Sequence, residues 1–283
     1  MRKYKIGLFY NIIRGDEKLL IEAANKLNVS LDLINVDNLI LKKDVFEAKF
    51  DIALLRSVSS TKEKYVAFFL ESLGIKTVNS FKIIQNCDDK FFTSILLEKK
   101  GVPQPKFGLA FSLDEAKKLI EKLGGYPVVI KPTTGSWGRM LAKVNDEDAL
   151  EAIFEHKQYL SSPFQKALYI QKFIEKGGRD IRAFVFDGEV ICAIYRNSHH
   201  WITNTARGGV ASKCEINPKL KEICFKASEA IGHGILAMDV FETKEGYLIN
   251  EVNHTMEFKN SEKPTGVSIS SAIINYCLKK IND

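Results

Sequence analysis

Along the first 85 residues, short apolar runs alternate with sets of apolar residues at helical spacing. Lys5–Tyr10 is a brief apolar run and predicts a strand. In residues 16–27, Leu19, Leu20, Ala23, Ala24 and Leu27 recur with the helical period. Residues 31–36 and 51–55 read as further strands, and 62–73 as a helix that stops at Gly74. Strands and helices alternating at these lengths predict a parallel sheet with helices on its faces. A second unit opens near residue 86. Its helices are predicted at 89–100, ended by Gly101-Val102-Pro103, and at 113–123, followed by Gly124-Gly125. A strand at 126–131 comes next. Beyond residue 168 the pattern turns to hairpins: 181–186 and 189–195 around Asp187-Gly188, and 235–242 and 247–252 around residues 243–246. The expected organisation is an α/β (α+β) chain in three parts, 1–85, 86–167 and 168–283.

Composition narrows the class. The 283 residues are 45% hydrophobic and 27% charged, ordinary for a globular chain. No apolar run approaches the roughly 20 residues that span a bilayer. The start, Met1-Arg2-Lys3, leads into only a short apolar stretch, so no signal peptide is expected. Cys87, Cys192, Cys214, Cys224 and Cys277 form no CxxC pair, which argues for reduced thiols rather than disulfides or structural zinc. The expected compartment is cytoplasmic. Net charge is +6, from 41 basic and 35 acidic residues spread along the chain. That balance suits an anionic ligand or an acidic protein partner better than dedicated nucleic-acid binding.

Three segments could carry chemistry. The loop Thr133-Thr134-Gly135-Ser136-Trp137-Gly138-Arg139 lies between two predicted strands. Its glycines let the backbone approach an anion, and its amides and hydroxyls could hold phosphate oxygens. It is neither a Walker A nor a Rossmann loop, which need a helix directly after the glycines. Taken alone it also reads as a plain hairpin turn. Lys131 ends an apolar strand just before it, and Lys90 stands near a helix start, where a cation opposes the helix dipole unless it meets an anion. Either lysine alone also reads as a solvated surface side chain. Glu251 and Asn253 lie two apart on a predicted strand and so share a face, with Asp239 opposite Glu251 across the hairpin. Two carboxylates and an amide oxygen are hard donors suited to Mg²⁺, and two facing acids without a cation would repel. A solvated polar face is the alternative. Arg182, Arg196 and Arg207 are candidate carboxylate or phosphate clamps. His199 and His200 read as an exposed turn.

Taken in order, these residues resemble the ATP-grasp superfamily, and within it the RimK-like branch. The pattern is Lys90; Val129-Ile130-Lys131-Pro132; the Gly135–Arg139 loop; Tyr169-Ile170-Gln171-Lys172-Phe173-Ile174; Asp180-Ile181-Arg182; Asp239; and Asn250-Glu251-Val252-Asn253. The resemblance implies an ATP-grasp fold with an N-terminal pre-ATP-grasp α/β domain. It also implies an ATP-dependent carboxylate–amine ligase working through an acyl phosphate. Lys90 and Lys131 would hold ATP phosphates, and Gly135, Ser136, Trp137, Gly138 and Arg139 would cover them. Gln171, Lys172, Phe173 and Ile174 would form the adenine hinge, with Asp180 nearby. The hinge usually reads Gln-Glu, so Lys172 is a departure. Asp239, Glu251 and Asn253 would bind two Mg²⁺ ions. Asn204 would hold the reacting phosphate end, and Arg196 and Arg207 would serve catalysis.

The match extends to members that join an amino acid to the C-terminal glutamate of a LysW-type acidic carrier protein. The implied partners are that carrier, α-aminoadipate, and a second copy of the chain in a dimer or tetramer. Asn260-Ser261 stands where glutamate-using relatives carry Gly-Phe, which favours α-aminoadipate. One methylene separates the two amino acids, a difference a pocket resolves by only about 10–200-fold. Glutamate on the same carrier, another protein tail, or a nucleotide sensor without transfer are the competing readings.

Overall fold

The computed structural model describes residues 4–135, 137–160, 166–203 and 208–283. The N-terminal part is the expected parallel sheet, in the order β2-β1-β3-β4, built from β1 (Lys5–Tyr10), β2 (Ser30–Asn35), β3 (Ile52–Leu55) and β4 (Thr77–Val78). Helices α1 (Gly15–Lys26) and α2 (Ser60–Ser72) are its crossovers, as parallel pairing demands. The side chain of Ser59 caps α2 by accepting from the amide of Lys62. Helices α3 (Phe81–Asp88) and α4 (Lys90–Lys99) follow.

The second sheet is antiparallel, in the order β5-β8-β6-β7. Its strands are β5 (Phe107–Ala110), β6 (Val128–Lys131), β7 (Ala142–Val144) and β8 (Leu168–Lys172), covered by α5 (Leu113–Lys122) and α6 (Glu147–Gln158). It packs on its own core of Val128, Ile130, Val144, Leu150, Leu168 and Ile170. Because β8 pairs with β5 and β6, this sheet draws its last strand from beyond residue 167.

The third sheet runs β11-β10-β9-β12-β13: β9 (Arg179–Phe186), β10 (Glu189–Asn197), β11 (Val210–Lys213), β12 (Ile235–Thr243) and β13 (Gly246–Asn253). Helices α7 (Pro218–Ile231), α8 (Glu262–Thr265) and α9 (Ile269–Asn282) complete the chain. Both expected hairpins are present. At the first, Asp187 and Gly188 adopt φ of 47° and 89°, the left-handed pair that a two-residue turn joining twisted strands requires. One apolar cluster joins Ile6, Leu8 and Ile52 of the first sheet to Phe184, Ile235 and Ala237 of the third through Ile273 and Ile274 of α9. The N-terminal sheet is thereby fastened against the back of the third, and its loops overhang that sheet's polar end. Among the described residues no helix is long and apolar enough to cross a membrane.

Candidate active site

Lys131 leaves an apolar strand because Val128, Val129 and Ile130 are buried on either side of the sheet and the chain turns at Pro132. It is itself only 5% exposed, and its Nζ donates to Asn250 Oδ1 at 2.8 Å. Burial, with Lys90 and Lys176 adding to it against the pull of Glu251, lowers its ammonium to about 8. Lys90 stands at the first position of α4, where its cation opposes the helix dipole. Two anions answer it: Asp89 caps the same helix by accepting from the amides of Phe91 and Phe92, and Glu251 lies 3.2 Å from the ammonium. The Lys90 ammonium also donates to Gly135 O at 2.9 Å, which anchors the glycine-rich loop.

The predicted facing of Asp239 and Glu251 is present in the register, and Asn253 lies on the same strand opposite Ala237. The ladder slips between Asp239 and Val240, so Asn250 is an extra residue on β13. That bulge brings Asn250 to Lys131 beside Glu251, a placement period-two counting does not foresee. Cross-strand pairs extend the polar row over the sheet: Asp239 faces Arg182 on β9, and Asp180 on β9 faces Arg196 on β10. Arg182 grips Asp239 through Nε and Nη2 at 2.8 and 3.0 Å. Arg196, 2% exposed, binds Asp180 through Nε and Nη2 at 2.7 and 2.8 Å and reaches Asp239 at 2.9 Å. Burial opposes charge on Asp239, but Arg182 and Arg196 more than reverse it and hold the carboxyl well below the ordinary range. Arg196 therefore acts on two carboxylates of the site; the expectation of a clamp free to hold substrate gives way to this buried bridge.

Around one cavity stand Lys90, Lys131, Lys176, Asp180, Asp239 and Glu251. With Arg182 and Arg196 behind them, five cations meet three carboxylates, an excess suited to a polyanion. The cavity's inner end is apolar, walled by Val129, Leu141, Ile174, Ile202 and Phe241. Gln171, Lys172 and Phe173 border it as expected. Lys172 turns its ammonium to Gly124 O and Gly125 O at 2.9 and 2.8 Å, bracing the hinge strand against the preceding turn. The departure at that position is thus a structural tie.

A second cleft shares Lys90, Gly135, Arg139 and Glu251 with the first. It is walled by Arg14 and Glu63 of the N-terminal part and by Arg182, Asn253 and Glu257 of the third sheet's end. Trp137 spans to it: the indole donates to Glu257 Oε1 at 3.0 Å, an oxygen that Arg14 also meets at 3.0 Å. Arg139 lies over the Trp137 ring, 4.9 Å from its centroid. Asn260 is exposed and Ser261 is buried, its amide donating to Phe258 O at 2.7 Å; among the described residues, neither lines either of these two clefts. His199 and His200 are exposed. Ser136, Asn204 and Arg207 lie outside the described residues. Sequence reasoning gave no role to Lys176, to Asn250, to Glu63, to Glu257, or to Thr203, whose hydroxyl donates to Asp180 and accepts from Lys176 in the first cavity. Only Asn250, beside Glu251, carried a local signal.

Lysines from two elements stand over a carboxylate row in a cavity between two antiparallel sheets, an arrangement suited to a polyphosphate ligand. Residues 87–277 match the RimK-like ATP-grasp domain, and residues 6–86 the LysX preATP-grasp domain. The chain belongs to the RimK-like ATP-grasp family. It is 37% identical to the alpha-aminoadipate–LysW ligase LysX of Sulfurisphaera tokodaii, with 98% of each chain covered. It is 34% identical to the glutamate–LysW ligase ArgX of Sulfolobus acidocaldarius, over 96% of this chain and 97% of that one. The crystal structure of a RimK domain ATP-grasp protein from Sphaerobacter thermophilus superposes with a TM-score of 0.81 at 26% identity, covering 97% and 99% of the two chains.

Proposed function

We propose that this ligase joins the α-amino group of α-aminoadipate to the side-chain carboxylate of the C-terminal glutamate of a LysW-type carrier protein. ATP phosphorylates that carboxylate, the amine displaces phosphate from the acyl phosphate, and ADP and phosphate are released. The observation that carries the amino acid and carrier is the near-full-length identity to LysX. The observation that carries the chemistry is the convergence of Lys90, Lys131, Asn250 and Glu251 at one point of the cavity.

In this reading Lys131 and Lys90 hold the β- and γ-phosphates, and the loop carrying Gly135, Ser136, Trp137, Gly138 and Arg139 covers them. A triphosphate beside Lys131 would offset the cost that burial puts on its charged form. The apolar end takes adenine against the backbone of Gln171, Lys172, Phe173 and Ile174. Asp239, Glu251 and Asn253 would hold Mg²⁺: Asp239 and Glu251 line the first cavity, and Glu251 and Asn253 the cleft beside it. Two carboxylates and an amide oxygen fit Mg²⁺ because it keeps positions for phosphate and water. When bound, it would supply charge stabilisation to the transferring phosphoryl group. Arg196 and Arg182 keep Asp239 ionised and fixed. Asn204 and Arg207 are proposed at the reacting end.

ADP release with purified carrier and α-aminoadipate tests the reading. Release that requires both supports it; release with aminoadipate alone, or none with both, overturns it. The 34% identity to ArgX keeps glutamate as the second reading. The same assay with glutamate replacing aminoadipate separates them by kcat/KM.

A further inference from the structure

The second cleft holds an acid for which the nucleotide side has no use. Glu63 lies in the first turns of α2, its residue 1% exposed, and lines the same cleft as Glu251 and Arg196. Both its oxygens accept from one hydroxyl, Thr255 Oγ1, at 2.9 and 3.0 Å. His254 Nδ1 is 3.9 Å away and meets the same Thr255 hydroxyl at 2.8 Å. Arg56 forms its ion pair with Glu17 at 3.1 Å and acts on Glu63 through its charge. Asp88 adds a like charge and is itself tied to Lys64 at 2.6 Å. Arg14 is likewise spent on Glu17 and Glu257. Among the described residues, no lysine or arginine pairs with Glu63. Burial raises its carboxyl to about 8, against the pull of Thr255 and Arg56.

A buried carboxyl without a cationic partner is held largely neutral, and its charged form is favoured only when a cation enters the cleft that it shares with Glu251 and Arg182. The amino-acid substrate supplies one. It arrives as an ammonium and attacks only after losing a proton. We propose that Glu63 receives the incoming ammonium and takes its proton, a role that rests on the ligase reading above. The proton passes from nitrogen to a Glu63 oxygen, and the freed lone pair forms the bond to the acyl carbon. The carbon–oxygen bond to phosphate breaks, and its electron pair leaves with the phosphate. The amide nitrogen's second proton goes to that phosphate, and Glu63 returns its own to solvent.

Hydroxylamine separates this step from the rest, because it is already a neutral amine near pH 7. Wild type and Glu63→Gln are assayed with ATP and LysW carrier, with either α-aminoadipate or hydroxylamine as acceptor. The expected result is a loss of roughly 100-fold or more with aminoadipate, within the range of lost general-base catalysis, and hydroxamate formation within about threefold of wild type. Equal losses with both nucleophiles, or no loss with either, overturn the proposal. Absence of carrier hydroxamate with wild type overturns the ligase reading instead. Should the Gln variant not fold, Glu63→Asp is read the same way. A hydroxamate-to-amide ratio above wild type supports the role, and an unchanged ratio refutes it.

Discussion

Replacing Lys131 with methionine should make the ligand-free protein more stable while abolishing its response to nucleotide. The ammonium is buried, and its folded value of about 8 lies below the ordinary lysine value of 10.5. Below pH 8 both folded and unfolded chains carry the charge, so the full burial cost applies. At about 1.4 kcal/mol per unit of pKa that cost is about 3 kcal/mol. Between pH 8 and 10.5 the folded chain releases the proton first, and wild-type stability rises with pH through that window. Methionine removes the cost and keeps the apolar stem, but leaves Asn250 Oδ1 without its donor, a loss of about 1–3 kcal/mol. The net expectation at pH 7 is a variant more stable by up to about 2 kcal/mol, or a few degrees in Tm. At pH 10 the wild-type burial cost falls to about 1 kcal/mol, and the advantage should vanish or reverse. Thermal melts of both proteins at pH 7 and pH 10, with and without Mg-ATP, read every part of this. A less stable variant at pH 7, or a gap independent of pH, refutes the burial argument. A variant still stabilised by Mg-ATP refutes the phosphate role.

Other substitutions probe the remaining parts. Asp239→Asn leaves Arg182 and Arg196 facing a neutral amide in the interior and should cost about 3–5 kcal/mol by urea unfolding; a cost under about 1 kcal/mol would contradict the bridge. Because its carboxyl sits well below the ordinary range, that contribution is present above about pH 4 and is lost only as pH falls through the lower folded value. Lys172→Met should lower stability by about 1 kcal/mol through the lost carbonyl contacts. It should also leave KM for ATP within about threefold, and a larger KM change would return the hinge ammonium to nucleotide binding. Glu251→Ala should cut turnover by more than about 10³-fold with little change in Tm, and unchanged turnover would remove it from the site.

The nucleotide side was legible because its signals are local. Alternation places Glu251 and Asn253 on one face, the Asp187-Gly188 turn sets the β9–β10 register, and a lysine after three buried apolar residues has to meet something. The bulge at Asn250 was not legible, since one extra residue in a ladder leaves no periodic trace. Helices α6, α7 and α9 escaped because their amphipathic faces were not counted, although Asp146, Asn217 and Ser268 cap them. The second cleft was hidden for a different reason. Glu63 and Thr255 are 192 residues apart, and tertiary packing brings them together, through α9 against the first and third sheets and through contacts such as Asn79 to His254 O.

The central claim is that ATP activates the carrier's carboxylate as an acyl phosphate. It is tested most directly by labelling the side-chain carboxylate of the carrier's C-terminal glutamate with ¹⁸O and analysing the products by mass spectrometry. One ¹⁸O transferred to each phosphate released, with ADP as the other product, is the predicted result. Unlabelled phosphate, or label appearing in AMP, would contradict it.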